Sequence, residues 1–155
     1  MRGKILSTCM GFAVLFAAVP CFAANKFENA EYFQGTSNGQ KKSVPAIKGS
    51  LLFDSEKKNV EFLDNNGTPA SSIGYDSIKT IIYEKTSTPR YAAAVLVSPM
   101  FLLSHAKKHY LTFQYTGQDG SGQYMIVHLD KKNARNAVAA AEAETGKKVE
   151  WAEEK

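Results

Sequence analysis

Two pairs of lysines are the residues whose type and spacing suggest binding chemistry. Lys107 and Lys108 precede one predicted strand, and Lys131 and Lys132 open the predicted C-terminal helix. If the two strands between these pairs form an antiparallel hairpin, all four lysines lie at one end of the domain. Such a cluster attracts an anionic lipid headgroup, or an acidic protein or peptide. The alternative is a solvated lysine-rich rim, because runs of charge usually face water.

Histidines are the candidate metal ligands. His105 and His109 are four residues apart and would share one face of a helix. The zinc-protease pattern requires a glutamate directly after the first histidine, where this chain has Ala106. If residue 108 begins a strand, the two rings do not converge, and His128 stands alone in the sequence. We therefore predict no metal site, and we expect hydrogen-bonded histidines in the core or at its rim.

Nucleophilic catalysis has one weak candidate, Ser121, which stands between Gly120 and Gly122. A nucleophile elbow needs a complete GxSxG motif on a strand-to-helix turn, whereas residues 117–122 are typical of a hairpin loop. The glycines of this loop precede a strand rather than a helix, so they do not form a phosphate-binding cradle. The sequence predicts no catalytic residue and no cofactor. A small hydrolase stays an alternative, because paired carboxylates are recognised only by their geometry.

The lysine pairs bracket a closing unit made of a strand, a loop, a second strand and a helix. Residues 108–115 alternate in polarity, and residues 124–129 form the returning strand. Asp130 is a suitable N-cap and Gly146 a suitable left-handed stop, which predicts a helix over about residues 130–145. The side chains that share core-facing positions are His109, Leu111, Phe113 and Tyr115, then Met125, Val127 and Leu129, then Ala134, Ala137, Val138 and Ala141.

Upstream of this unit the chain has the pattern of short strands. Strand-like segments occur at residues 49–53, 60–63, 72–75 and 78–83. They are rich in β-branched and aromatic residues, and turn-forming residues such as those at 64–67 separate them. The first three segments therefore predict two meander hairpins. The apolar run over residues 91–97 fits a covered strand, with a helix as the alternative.

The N-terminal residues have the layout of a secretory signal peptide. A positive start is followed by an apolar run and by small residues before a cut after Ala23, which predicts a signal peptide over residues 1–23. The alternatives are a membrane anchor, for which the run is short, and a lipoprotein signal at Cys21. Residues 24–43 are polar and predict a flexible arm, and residues 44–155 are the predicted domain. We expect no transmembrane segment after cleavage.

Cleavage also changes the chemistry of the chain. It leaves 132 of the 155 residues and removes both cysteines, so the fold must be stabilised by its core without disulfides. Of the 19 basic residues, 17 remain against 15 acidic ones. A net charge of +2 is too small to predict nucleic-acid binding.

The chain resembles the pleckstrin-homology superfold, and in particular a group of exported bacterial proteins with pleckstrin-homology-like domains. The resemblance covers residues 48–151 and is carried by the segments GSLLFD, IGYDSIKTIIYEK, KKHYLTFQY, HLDKKN and ETGKKVEW. It implies a mostly β (α+β) fold. The expected architecture is a strongly bent antiparallel sheet or barrel of about seven strands, closed by one C-terminal helix.

The resemblance also implies a binding role. Relatives often hold phosphoinositides or peptides through basic residues in the loop between the first two strands. Here that loop would be DSEKKN, where Lys57 and Lys58 stand beside Asp54 and Glu56. The implied function is a non-enzymatic binding or scaffold module, periplasmic or secreted, whose partner is a protein, a peptide or an anionic lipid headgroup. A purely structural envelope protein is a further alternative.

Overall fold

The computed structural model describes residues 24–33, 46–91 and 106–152 of the chain. Eight strands lie in these ranges: β1 (Asn25–Phe33), β2 (Ile47–Asp54), β3 (Asn59–Asp64), β4 (Pro69–Gly74), β5 (Ile78–Thr86), β6 (Lys108–Thr116), β7 (Gly122–Leu129) and β8 (Val149–Ala152). One α-helix, α1 (Lys131–Thr145), lies between β7 and β8, and a single 3-10 turn (Tyr75–Ser77) joins β4 to β5.

The strands form one sheet in the order β4-β3-β2-β1-β7-β6-β5-β8. All neighbouring strands among β1 to β7 pair antiparallel, whereas β8 pairs parallel with β5. The mostly β class and the single C-terminal helix are thus confirmed. The prediction of a wholly antiparallel sheet is wrong at β8, because the helix returns the chain to the end from which β5 starts. Within the described residues the sheet ends at β4 and β8 and is not closed.

The sheet curves strongly around its core. Phe53 on β2 and Phe113 on β6 have ring centroids 6.2 Å apart, although β1 and β7 lie between their strands. Three strand spacings in a flat sheet would separate the two backbones by about 14 Å. The two side chains meet because the sheet bends toward them. The concave face therefore encloses the larger apolar cluster, and residues from β1 to β8 contribute to it.

Helix α1 covers this concave face with a stripe of small side chains. The buried residues of the helix are Ala134, Ala137, Val138 and Ala141, as predicted. Gly146 ends the helix in the left-handed conformation with φ 67°, also as predicted. Asp130 occupies the N-cap, but its side chain makes no capping hydrogen bond. Its backbone carbonyl instead accepts the N–H groups of Asn133 and Ala134.

The predicted flexible arm over residues 24–43 is wrong for Asn25–Phe33. This stretch is β1, which lies between β2 and β7 in the middle of the sheet. A β-bulge between Phe27 and Ala30, with Asn29 at φ 56°, shifts the register by which the strand pairs with β2. The bulge interrupts the alternation that identifies a strand in a sequence. Residues 34–43 lie outside the described ranges.

The two predicted meander hairpins are confirmed as β2–β3 and β3–β4, and Gly67 adopts φ 80° in the second turn. The segment DSEKKN therefore joins the second and third strands, not the first and second. The signal peptide and most of the apolar run over residues 91–97 fall outside the described residues, and so do His105 and the lipoprotein alternative at Cys21.

Candidate functional site

The pairing of β6 with β7 brings the four predicted lysines to one end of the sheet. His109 faces Leu129 across the two strands, so the chain before β6 and the chain after β7 leave the sheet side by side. We call the resulting group the lysine end: Lys107, Lys108, Lys131 and Lys132. Lys108 is half-buried, and the other three are exposed.

Two further cations lie next to the lysine end. Lys85, near the end of β5, pairs with His109 of β6 in the antiparallel register. Arg135 is one helical turn after Lys131, and both are exposed on α1. The sequence analysis missed both residues. The four-residue spacing from Lys131 was the available signal for Arg135, whereas Lys85 is brought close only by strand pairing.

The cations of this region differ in whether acids balance them. Within the described part of the chain, no ion pair involves Lys85, Lys131, Lys132 or Arg135. By contrast, the nearby Arg90 bonds the buried Glu84, with Arg90 Nε 3.2 Å from Glu84 Oε1. A group of cations without acidic partners keeps its positive potential toward solvent.

An aromatic row borders these cations on the helix side of the sheet. Trp151 of β8 and Tyr83 of β5 face each other in the parallel register, and their rings make an edge contact with centroids 4.6 Å apart. Tyr83 also stacks on His109 at 6.0 Å, and its hydroxyl lies 2.5 Å from His109 Nδ1. We call Trp151, Tyr83 and His109 the aromatic row. It confirms that His109 is hydrogen-bonded at the rim of the core.

The charges around the aromatic row act on its titratable groups. Burial lowers the pKa of His109, and the nearby Lys85 and Lys131 lower it further, whereas Asp130 opposes them. Burial raises the pKa of the Tyr83 hydroxyl, and the positive charge of Arg135 opposes that rise. The cations of β5 and α1 thus lie near enough to influence the row directly.

The opposite face of the sheet holds a separate histidine. His128 Nδ1 lies 3.1 Å from Glu31 Oε2, and the two residues pair across β1 and β7. Burial lowers the pKa of His128, and the hydrogen bond and charge of Glu31 act in the other direction. Since His109 points to the concave face and His128 to the opposite one, the two rings do not share a site.

A cleft of about 530 Å³ lies between β4 and the loop that joins β6 to β7. Its walls include Ser72, Tyr115, Gln123 and Asp119. Ser121, the weak nucleophile candidate, is bound within the loop itself, because its hydroxyl donates to Asp119 at 2.6 Å. The loop also closes with a bond from the Gly120 N–H to the Gly117 carbonyl, as a hairpin turn does.

The DSEKKN turn pairs one of its two lysines with acids. Asp54 accepts hydrogen bonds from the N–H groups of Glu56 and Lys57. The ammonium of Lys57 lies 3.3 Å from Asp54 and 3.6 Å from Glu61. The charge of Lys57 is therefore balanced locally, unlike the charges of Lys131 and Lys132 among the described residues.

The described residues contain no group of three or more histidine, cysteine or carboxylate side chains that could hold a metal ion. In the same part of the chain, no helix is long and apolar enough to cross a membrane.

Comparisons with known proteins add no relative. No protein-family model matches this chain, and no curated protein is significantly similar to it in sequence.

Proposed function

We propose that this protein is an exported, non-enzymatic binding module of the pleckstrin-homology superfold that holds an anionic partner at its lysine end. It acts in the bacterial periplasm or outside the cell. The partner is an anionic lipid headgroup or an acidic protein. The meander of β2, β3 and β4, the hairpin of β6 and β7, and the helix over the concave face support the assignment to this superfold.

The observation that carries the proposal is the concentration of unbalanced positive charge. Cations of β5 and α1, which make no ion pair among the described residues, meet at one end of a chain whose exported form has a net charge of only +2. Because like charges repel, such a grouping lowers the stability of the folded domain. An anionic partner removes that repulsion when it binds.

The placement of the titratable groups supports binding rather than hydrolysis. His109 bonds Tyr83 on the concave side, and His128 bonds Glu31 on the opposite side. General acid–base catalysis requires its groups to converge on one reacting atom. Here the two histidine pairs are divided by the sheet.

The test compares two variants that lose the same charge at different places. In the first, the four residues of the lysine end are replaced by glutamine. In the second, the replaced lysines are Lys58 in the β2–β3 turn, Lys79 at the start of β5, and Lys147 and Lys148 between α1 and β8. Each protein is purified from the periplasm of an expressing bacterium. The mass of the purified chain tests cleavage after Ala23.

Binding is measured by sedimentation with phosphatidylglycerol vesicles and by capture of envelope proteins identified by mass spectrometry. We expect the lysine-end variant to lose binding in at least one assay, by up to about 1,000-fold for four charges near an anionic surface. The second variant should bind as the original protein does. The proposal is wrong if both variants behave alike in both assays.

A further inference from the structure

Trp151 is presented to solvent at the edge of the sheet instead of being packed into the core. Its side chain is 61% exposed, whereas the other large hydrophobic side chains of the described residues are buried or partly buried. It lies on β8, a four-residue edge strand that follows the helix stop at Gly146. An exposed tryptophan at an edge commonly marks a contact surface.

The aromatic row holds this tryptophan in a fixed position. One side of the ring contacts Tyr83 at 4.6 Å, and Tyr83 is itself fixed by its bond to His109. The backbone of β8 is anchored in turn, since the Val149 N–H donates to Glu142 of α1 at 2.9 Å. Trp151 therefore projects from a supported strand, so little conformational entropy is lost when it is covered.

Cations without ion pairs among the described residues lie near the aromatic row that includes Trp151. Lys85 and Lys131 are near enough to His109, and Arg135 to Tyr83, to influence their titration. An amphipathic aromatic ring with lysine and arginine in its neighbourhood is a composition found where proteins meet the headgroup layer of a membrane. This composition also fits the charge of anionic lipids.

The shape of the region around Trp151 favours docking on a flat lipid surface over binding of a peptide. Three clefts among the described residues are lined by other parts of the chain and not by Trp151. Bound peptides usually occupy a groove or a long strand edge. A four-residue edge strand offers few backbone hydrogen bonds, whereas a projecting ring with cations beside it can contact a flat layer of headgroups.

We propose that the domain docks on the surface of an anionic bilayer, with Trp151 entering the headgroup layer and Lys85, Lys131 and Arg135 contacting lipid phosphates. This inference rests on the proposed function, because Lys131 belongs to the lysine end. It goes further by selecting the lipid surface as the anionic partner and by fixing the orientation of the domain on it.

The chain contains one tryptophan, so its fluorescence reports this residue alone. We expect emission to move to shorter wavelength when phosphatidylglycerol vesicles are added, and brominated lipid chains should quench it. Phosphatidylcholine vesicles and the soluble headgroup glycerophosphoglycerol should leave it unchanged. Binding without a spectral change would overturn the orientation while leaving the proposed function intact. If no vesicle binds at all, the lipid partner itself is wrong.

Three variants sharpen the test. Lys85→Glu should weaken vesicle binding about tenfold, whereas Lys79→Glu, at the other end of the same strand and about 20 Å away, should not. Trp151→Ala should also weaken sedimentation with vesicles while circular dichroism shows the fold retained. Equal binding by Lys85→Glu and Lys79→Glu, or a blue shift with an acidic polypeptide but not with vesicles, would overturn the proposal.

Discussion

The acids at one end of the domain are bonded within the fold, whereas several cations at the other end are not. At the far end, which comprises the β2–β3 turn and the C-terminus of α1, acids are bonded locally. Glu144 accepts hydrogen bonds from Asn25 at 3.0 Å and from Ser55 at 2.7 Å. Asp54 caps its own turn and pairs with Lys57. At the lysine end and next to it, the cations of β5 and α1 make no ion pair among the described residues. These cations are Lys85, Lys131, Lys132 and Arg135.

Helix α1 shows the same contrast along its own length. Lys131 and Lys132 stand at its N-terminus, and Glu142 and Glu144 at its C-terminus, which is the reverse of what the helix dipole favours. The two glutamates offset this by bonding Val149, Asn25 and Ser55. Among the described residues, the two lysines make no compensating ion pair. The difference teaches that the far-end acids serve the fold, whereas Lys131 and Lys132 have no such structural role and are the residues on which the proposed binding depends.

The largest expected effect comes from reversing the charge of two cations on the first turns of α1. We predict that Lys131→Glu combined with Arg135→Glu weakens binding to phosphatidylglycerol vesicles by about 100-fold. The same change should raise the free energy of unfolding by about 0.5 kcal/mol, because acids suit the helix N-terminus. Sedimentation and urea denaturation measure the two effects. A parallel loss of stability and binding would show that these residues serve the fold instead.

Next in size is the removal of a bonded acid at the far end. Glu144→Ala loses the hydrogen bonds to Asn25 and Ser55, and we expect a destabilisation of about 2 kcal/mol. Urea denaturation checks this value. Vesicle binding should stay within error of the original protein, since the residue lies away from the lysine end. Weakened binding at equal folded fraction would contradict the division of roles.

The turn at Asp54 gives a pH-dependent effect. Backbone hydrogen bonds and Lys57 hold the pKa of this carboxyl below its ordinary value of 3.8. Because the folded pKa is the lower one, the stabilisation is present above the ordinary value and is lost as pH falls toward the folded pKa. Asp54→Asn should therefore lose more stability near neutral pH than in acid, as thermal unfolding at several pH values would show. A constant difference between the two proteins across pH would contradict this cause.

The smallest effect concerns the backbone of the same turn. Lys58 adopts φ 55°, a conformation that costs a residue with a side chain about 1 kcal/mol. Lys58→Gly should stabilise the domain by a few tenths of a kcal/mol, since glycine's flexibility in the unfolded chain offsets part of the gain. Vesicle binding should not change, although a lysine is lost. A clear drop in binding would extend the binding surface to the far end.

Residues 108–146 could be predicted well because their patterns are regular. Leu111, Phe113 and Val127 were assigned correctly to the core side of β6 and β7. Tyr110 and Ile126 point to the other face and are also buried, in a second apolar cluster. The helix has both a buried small-residue stripe and a glycine stop. Sequence patterns were sufficient to predict an element wherever one periodicity continued over several residues without interruption.

β1 and β8 could not be predicted because their signals are weak or interrupted. The bulge at Asn29 divides β1 into two short pieces of different register, and β8 has only four residues. For a similar reason, only part of the candidate site could be predicted from the sequence. Lys107, Lys108, Lys131 and Lys132 are visible as pairs in the sequence, whereas Lys85 and Trp151 join them only through strand pairing.

The central position of β1 has a consequence for the order of folding. This strand is the link between β2 and β7, and its contact between Glu31 and His128 joins residues 97 positions apart. The hairpins on either side can form from local contacts, but the middle of the sheet must wait for a distant segment of the chain. Contacts of this range slow folding. We therefore expect the central seam to form last, and the domain to remain open until its N-terminal strand is in place.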